Sequence, residues 1–394
     1  MNSEQSVFDG GGRVVAGGLV AFVLGGIALL WGALTRPQYV YHAYLSAYAW
    51  VLSVTLGALL FLMIVHAMDA KWPVAVRRVV EAIVAILPLT VVLFIPIAIG
   101  VERIFPWATE DAGYDSKLQE LFAHQRPYLN TPSFFVRAAL YFALWVGAAV
   151  FLRQWSLRQD IAPSVEDKMR CRTLSAVGIF PVGLALTFAS FDWLMSLTPA
   201  WYSTMFGVYW FAGGFLAAIS VIVLLTATLQ HAGMLGRVTR SHYYALGRLM
   251  LAFTIFWAYA AYFQLFLIWI ADKPQEVVFF AVRSTKEWLP FSIALAVMHF
   301  VLPFFALLSY HVKQSPKTLA PIAAWVLLAH WVDMEWLVMP AVRPAGPVIH
   351  WTDVAALVCV GGAALAFGAY RMRGHSIFPR NDPSLEAAFH YGSR

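Results

Sequence analysis

Long apolar runs separated by short polar segments dominate the chain. Ten runs are long enough for about 20 residues of helix, the length that crosses a hydrocarbon core of about 30 Å. They lie at about residues 14–34, 43–66, 79–101, 134–152, 174–193, 207–229, 249–271, 288–310, 320–339 and 352–372. The pattern predicts an all-α integral membrane protein, with about ten transmembrane helices in a single polytopic domain, residues 1–394.

Two similar helix ends indicate an internal repeat. The second run ends in IVHAMDAKW and the sixth in TLQHAGMLG, so His66 corresponds to His231, about 165 residues later. A repeat of this kind favours two four-helix bundles, although chance similarity of two helix ends is the alternative. The bundles would comprise runs two to five (about 43–193) and six to nine (about 207–339), with peripheral spans and tails at 1–42 and 340–394.

Charge changes the picture by giving the chain an orientation. When successive loops are assigned to alternate sides, 18 Lys and Arg residues fall on the side of the N-terminus and 8 on the other. Cytoplasmic loops are enriched in Lys and Arg, so both termini are predicted to be cytoplasmic. The same rule accounts for the net charge of +6 without nucleic acid as a partner. The N-terminus lacks a basic n-region and a cleavage site, so we expect the first run to be retained as a span.

Composition and cysteine usage narrow the chemistry. The chain is 61% hydrophobic and only 12% charged, which excludes an ordinary soluble domain. Cys171 and Cys359 form no CxxC or CxxCH motif. We therefore expect no iron–sulfur cluster and no c-type haem to be bound by this chain alone.

Runs eight and nine contain the strongest candidate for buried chemistry. His299 and His330 each lie about ten residues inside their runs, so both should be near the middle of the membrane. Only about nine residues join the two runs, which predicts antiparallel neighbours. Pro303 cannot donate a hydrogen bond to the carbonyl of His299, so a kink and a small hydrated pocket are expected there.

Two carboxylates follow His330 in the motif HWVDMEWLVMP. Asp333 lies one turn outward on nearly the same helix face, whereas Glu335 is rotated by about 140°. A path of His and Asp side chains from the membrane middle outward is typical of a proton relay. The alternative is a static polar core that fixes helix packing, particularly for Glu335.

Further ionisable residues lie near the two membrane faces. Asp192 ends the fifth run amid aromatic residues and is a further proton-transfer candidate, and Arg137 enters the fourth run at similar depth. A buried Arg requires a carboxylate, so we expect an outer-face ion pair with Asp192 or Glu102, unless Arg137 snorkels to the interface. On the inner side the candidates are His66, Glu81 and His231, which are more often ordinary interface residues.

The longest outer connection is predicted to dock a peripheral subunit. It runs from about Glu102 to Pro132, which is too long for a simple turn. Its acidic residues are Glu102, Glu110, Asp111, Asp115 and Glu120.

Four ordered motifs resemble one family of membrane subunits. They are FDWLMSLTPAWYSTMFGVYWFAGG (191–214), LGRLMLAFTIFWAYAAYFQLFLIWIADKP (246–274), MHFVLPFFALLS (298–309) and HWVDMEWLVMP (330–340). Together they resemble the polysulfide-reductase-type (NrfD-like) membrane subunits. More narrowly, they resemble the second such subunit of bacterial alternative complex III, a quinol:cytochrome c (electron-acceptor) oxidoreductase.

The resemblance implies a multi-pass subunit of a respiratory complex in the bacterial cytoplasmic membrane. Its partners would be an iron–sulfur-cluster subunit, a homologous quinol-binding membrane subunit, multihaem cytochromes c and membrane lipids. The iron–sulfur clusters and haems would reside in those partners, and relatedness to the sister subunit extends the expectation to a quinone-facing surface on this chain. Within this reading His299, His330, Asp333, Glu335 and Asp192 are the proton-transfer candidates.

Two other functional classes remain open. A secondary transporter would also carry polar residues at mid-membrane, usually on broken helices in both halves; Pro88 and Pro96 have no clear counterpart in run seven. A haem b anchor would require two histidines at one depth on adjacent helices, which His299 and His330 satisfy.

Overall fold

Ten long apolar helices make up most of the part of the chain that the structure describes. A computed structural model of the chain describes residues 7–109, 116–271 and 273–392. Within them, the helices that can cross a membrane, called spans 1 to 10, are Gly12–Thr35, Pro37–Ala67, Trp72–Ile99, Thr131–Ile161, Val165–Leu197, Phe206–His231, Arg240–Ala271, Leu289–Leu308, Pro316–Ala341 and Trp351–Met372. The all-α multi-span membrane fold predicted from the sequence is confirmed.

Several spans extend beyond the apolar runs. Span 5 begins at Val165 rather than at about residue 174, and span 7 begins at Arg240 rather than at about 249. The extra turns are polar, with Ser164 capping span 5 through its side chain and Glu166 in the first turn. A helix satisfies its own backbone in water as well as in lipid, so hydropathy alone marks the membrane portion and not the helix end.

Span 2 forms the centre of the molecule. In the most apolar stretch of span 2, 89% of the residues are buried inside the protein. The corresponding share for span 1 is 17%, so span 1 is exposed to lipid. Spans 2 to 5 pack on one another, as do spans 6 to 9, and spans 2 and 6 join the two groups. Spans 1 and 10 pair outside them and contact span 2.

Spans 2 and 6 approach each other at glycine. A Cβ on Gly57 would lie 2.6 Å from the carbonyl oxygen of Gly214, and one on Gly214 would lie 2.7 Å from that of Ser53. Only a residue without a side chain fits such backbone contact, as in other closely packed transmembrane helices. The close approach brings Ser53 beside span 9.

The two chain ends meet on one side of the molecule. Val7 pairs with Ser376 in the one isolated β-bridge of the described residues, and the N–H of Phe8 donates to the carbonyl of His375 at 2.9 Å. The ends therefore share one face, as an even number of spans requires. That this face is cytoplasmic remains a prediction.

Span 8 is irregular where the sequence predicted a kink. Val297–Val301 form a π-helical turn, in which the N–H of Leu302 donates to the carbonyl of Val297. The carbonyl of Met298 instead accepts the indole N–H of Trp325 on span 9 at 2.9 Å. A side chain of the neighbouring helix thus satisfies the backbone oxygen five residues before Pro303, and His299 lies inside the turn.

Connections between spans contain short helices. In the outer connection predicted to dock a partner, Val101–Ile104 and Ser116–Gln125 are helical. Gln125 donates to the carbonyl of Pro199 at 2.8 Å, which holds this connection against the one between spans 5 and 6. Glu110, Asp111 and Asp115 lie outside the described residues, and docking remains a prediction.

Candidate functional site

His299, His330 and Asp333 form one cluster inside the second group of spans. All three side chains are fully buried. The two imidazole rings lie 6.0 Å apart between centroids. The π-helical turn of span 8 presents His299, and one turn of span 9 presents the other two. The structure thus brings together the two histidines that the sequence placed at one depth and the aspartate that it placed one turn further outward.

Two aromatic donors hold the carboxylate of Asp333. The hydroxyl of Tyr209 on span 6 donates to Oδ1, and the indole N–H of Trp257 on span 7 donates to Oδ2 at 3.2 Å. Hydrogen bonds of this kind stabilise a carboxylate that is removed from water. Sequence reasoning missed both donors, because aromatic residues are common at every depth of this chain.

Ser53 orients His330. Its hydroxyl lies 2.8 Å from Nε2 and donates to the carbonyl of Trp50 at 2.9 Å. A hydroxyl has one proton, so when it donates to Trp50 it must accept from Nε2–H. Nδ1 of His330 then carries the lone pair and faces Asp333.

The cluster contains polar atoms without partners. Within the described part of the chain, both ring nitrogens of His299 and Nδ1 of His330 are buried and make no hydrogen bond. The His299 ring packs instead against Trp257, with centroids 4.0 Å apart. Buried polar atoms that lack partners are costly, so a bridging water or a mobile proton is expected among them.

The distance between His330 and Asp333 is slightly too long for direct proton transfer. Nδ1 lies 3.9 Å from Oδ2. This exceeds a hydrogen bond of about 2.9 Å, so transfer requires either a movement of about 1 Å or one intervening water.

The same three residues could also hold a metal ion. Each offers one ligand atom, and these atoms lie within 4.8 Å of one another. Two imidazoles and a carboxylate suit zinc, with ligand distances of about 2.0–2.2 Å. Asp333 already binds Tyr209 and Trp257, so a metal would compete with both donors.

Glu335 and Asp192 are not part of the cluster. Glu335 accepts a hydrogen bond from Ser46 on span 2 at 2.6 Å. Asp192 lies in the first group of spans, where Arg137 binds both its oxygens at 2.8 and 3.0 Å. The structure therefore places Asp192 with Arg137, as one of the two predicted pairings, and away from His330.

The pair of Arg137 and Asp192 is completed by two tyrosines. Tyr141 donates to the Asp192 carboxylate at 2.9 Å. The Arg137 guanidinium lies 3.9 Å from the ring centroid of Tyr128 and donates to its carbonyl at 2.7 Å. Asp192 is fully buried, whereas the Arg137 side chain keeps 14% exposure. Arg137 therefore retains some access to water, and Glu102 is not its partner.

Glu81 belongs to a dense charged network at the other face. It is fully buried and paired with Arg77 and Arg78, and Ser156 donates to it at 2.6 Å. Arg78 also reaches Asp160 at 2.6 Å. The sequence identifies Glu81 as a candidate, whereas Arg77 and Arg78 enter the sequence analysis only through the count of Lys and Arg residues.

The network extends to the C-terminal tail. Arg77 donates to Asp382 at 2.5 Å. Burial alone would raise the pKa of Asp382, but the charge of Arg77 and a hydrogen bond from the backbone of Ser384 outweigh it, and the pKa falls below its usual value. Asp382 therefore remains ionised and ties the tail to span 3.

The two histidines of the proposed repeat differ in their surroundings. His66 is half-buried, and its Nε2 makes no hydrogen bond within the described residues. His231 ends span 6 and is exposed. The structure does not bring either to the central cluster.

No protein-family model matches the chain, and no curated protein matches it. Function must therefore be inferred from the arrangement of its residues and from its motifs.

Proposed function

We propose that the chain is an integral membrane subunit of a respiratory quinol:cytochrome c (electron-acceptor) oxidoreductase complex, in which it provides a proton-transfer path. His299, His330 and Asp333 carry the protons. A quinone-facing surface belongs to the same proposal, on the resemblance alone. On the same resemblance, the complex lies in a bacterial cytoplasmic membrane. Its other subunits would be an iron–sulfur-cluster subunit, a quinol-binding sister subunit and multihaem cytochromes c.

One observation carries the proton path: a fully buried cluster in which three imidazole nitrogens lack hydrogen-bond partners in the described residues. A static polar core would be expected to satisfy its own donors and acceptors, because an unpaired buried group costs about 1–3 kcal/mol. Groups that exchange protons with trapped water leave positions free for that water. The unpartnered nitrogens of this cluster are those expected of groups that exchange protons with trapped water.

The geometry suggests the order of events. Asp333, when protonated, faces the lone pair of His330 Nδ1. Once Nδ1 accepts that proton, both ring nitrogens are protonated, and Nε2–H donates to Ser53. His299, at 6.0 Å between ring centroids, is the next acceptor, through one water. Tyr209 and Trp257 then stabilise the Asp333 anion until a proton returns.

His330→Gln tests this path. Glutamine keeps similar size and hydrogen bonding but does not titrate. The complex, purified with its partner chains and reconstituted into vesicles, is assayed for protons moved per quinol oxidised, quinol-oxidation rate and subunit content. We expect normal assembly with proton coupling largely lost. The matched control is His311→Gln, which alters an exposed histidine after span 8.

Three outcomes contradict the proposal. A fully coupled and fully assembled His330→Gln complex reduces His330 to a packing residue. A haem b band in the reduced-minus-oxidised spectrum, absent from His299→Gln and His330→Gln, identifies a haem anchor. Purification of the chain without cluster or cytochrome subunits, together with solute uptake into vesicles, indicates a transporter.

A further inference from the structure

A large apolar pocket opens sideways between spans 7 and 8. Its volume is about 680 Å³. Its walls lie in the half of the membrane opposite the chain ends, and several of them are exposed on the span surface, so the opening faces lipid. These wall residues are Tyr259, Tyr262 and Leu265 of span 7, and Leu289, Ile293 and Ala296 of span 8.

Arg283 lines one end of this pocket. It is the last residue of the short helix Pro274–Arg283 between spans 7 and 8, and it is 3% exposed. Its guanidinium donates to three backbone carbonyls, those of Phe279 at 2.7 Å, Leu337 at 2.9 Å and Trp336 at 3.1 Å. The rings of Phe279 and Trp336 lie 3.5 and 4.8 Å from it.

Arg283 has no counter-ion among the side chains that the structure describes. Among the described residues, no carboxylate lies within 4.0 Å of the guanidinium, unlike Arg77, Arg78, Arg137 and Arg343. Burial lowers the pKa of Arg283, because the charged form is kept away from water. A guanidinium has five N–H donors, so the three carbonyls leave two unused.

Other polar groups gather at the same end. Ser292 donates to the carbonyl of Arg283 at 2.9 Å and accepts the indole N–H of Trp336 at 2.8 Å. Ser284 also lines the pocket. The rest of the lining is aliphatic or aromatic, so the cavity is amphipathic, with one cationic end and a long, mainly apolar wall that is open to the bilayer.

We propose that this pocket holds one anionic phospholipid of the bilayer, with its phosphodiester against Arg283 and its acyl chains between spans 7 and 8. A phosphodiester supplies the single negative charge that Arg283 lacks, and its oxygens accept the two remaining N–H groups in the forked geometry that guanidinium favours. The acyl chains match the apolar wall. Tyr209 and Trp257, which donate to Asp333, also line the pocket, but the lipid proposal does not depend on the proton path.

Four variants test the site. Arg283→Gln removes the charge, Arg283→Lys keeps it without the fork, and Ala296→Trp fills the pocket while leaving Arg283 intact. Ala294→Trp adds the same ring to an exposed position of the same helix that does not line the pocket, and is the matched control.

Lipid binding is measured by native mass spectrometry of the purified complex titrated with dioleoylphosphatidylglycerol or dioleoylphosphatidylcholine. We expect the native protein to retain one tightly bound phosphatidylglycerol and to prefer it over phosphatidylcholine. Arg283→Gln should lower that preference by about tenfold, as loss of a charge-assisted hydrogen bond predicts. The lipid preference of Arg283→Lys should lie between those of the native protein and Arg283→Gln. Ala296→Trp should abolish binding at the site, and Ala294→Trp should bind lipid as the native protein does.

Equal affinity for the two lipids in the native protein overturns the proposal. So does unchanged phosphatidylglycerol binding in Ala296→Trp, which remains decisive if Arg283→Gln does not fold. The proposal is also overturned if a quinone, and not a phospholipid, is extracted with the protein, and if that quinone is retained in Arg283→Gln but lost in Ala296→Trp. The pocket would then bind a neutral ligand.

Discussion

His330 and Asp333 lie three residues apart on span 9, and their facing atoms Nδ1 and Oδ2 are 3.9 Å apart. They are too far apart for a hydrogen bond because each is held by a different helix. Ser53 of span 2 fixes the imidazole, whereas Tyr209 of span 6 and Trp257 of span 7 fix the carboxylate. The gap is therefore set by the packing of three helices around span 9.

Ser53→Ala should release His330. The change leaves Nε2 without a partner, and an unsatisfied buried donor costs about 1–3 kcal/mol. We expect a lower Tm and weaker proton coupling, measured on the reconstituted complex. Ser220→Ala is the control, since that buried hydroxyl donates only to the carbonyl of Leu216 in its own helix. Equal Tm and coupling in the two variants would show that Ser53 does not orient His330.

Gly214→Ala should push spans 2 and 6 apart. The added Cβ would lie 2.7 Å from the carbonyl of Ser53, and backbone cannot yield as a side-chain end can. Overpacking of this kind costs about 1–3 kcal/mol. Gly147→Ala, where a Cβ meets nothing within 4 Å, should be nearly neutral. Thermal unfolding followed by fluorescence measures both, and a neutral Gly214→Ala would contradict the predicted close contact.

Arg137 and Asp192 should show strong coupling in a double-mutant cycle. Arg137→Ala leaves a fully buried carboxylate unpaired, at a cost of about 3–5 kcal/mol. Asp192→Ala should cost less, because Arg137 keeps 14% exposure and its contacts with Tyr128. The double variant should be more stable than Arg137→Ala alone. Additive losses, measured by unfolding in denaturant, would show that the two do not interact.

Asp382 should hold the C-terminal tail in a pH-dependent way. Its pKa is lowered in the folded protein, so the stability it adds is present above its ordinary pKa of 3.8 and is lost as pH falls through the lower, folded value. At neutral pH, Asp382→Asn should imitate that loss and speed tryptic cleavage in the tail. Glu386→Gln, which alters an exposed carboxylate of the same tail, is the control. Equal cleavage rates in both variants would argue against the tie to Arg77.

The sequence by itself determined the fold class and the depth of the main candidates. Apolar run lengths fixed ten spans, because a lipid-crossing helix must satisfy its own backbone within about 20 apolar residues. Spacing within two adjacent spans placed His299 and His330 at one depth, and Pro303 marked the irregular turn. All of these depend on positions along a single helix or on two helices joined by a short loop.

Only the tertiary structure decided which side chains meet across helices that are distant in sequence. Ser53 reaches His330, Tyr209 reaches Asp333, and Ser46 reaches Glu335, through contacts 124 to 289 residues apart. Helical periodicity assigns each residue to a face of its own span, but it does not say how that span is rotated relative to its neighbours. That rotation follows from close packing at small residues such as Gly57 and Gly214, which a hydropathy pattern does not record.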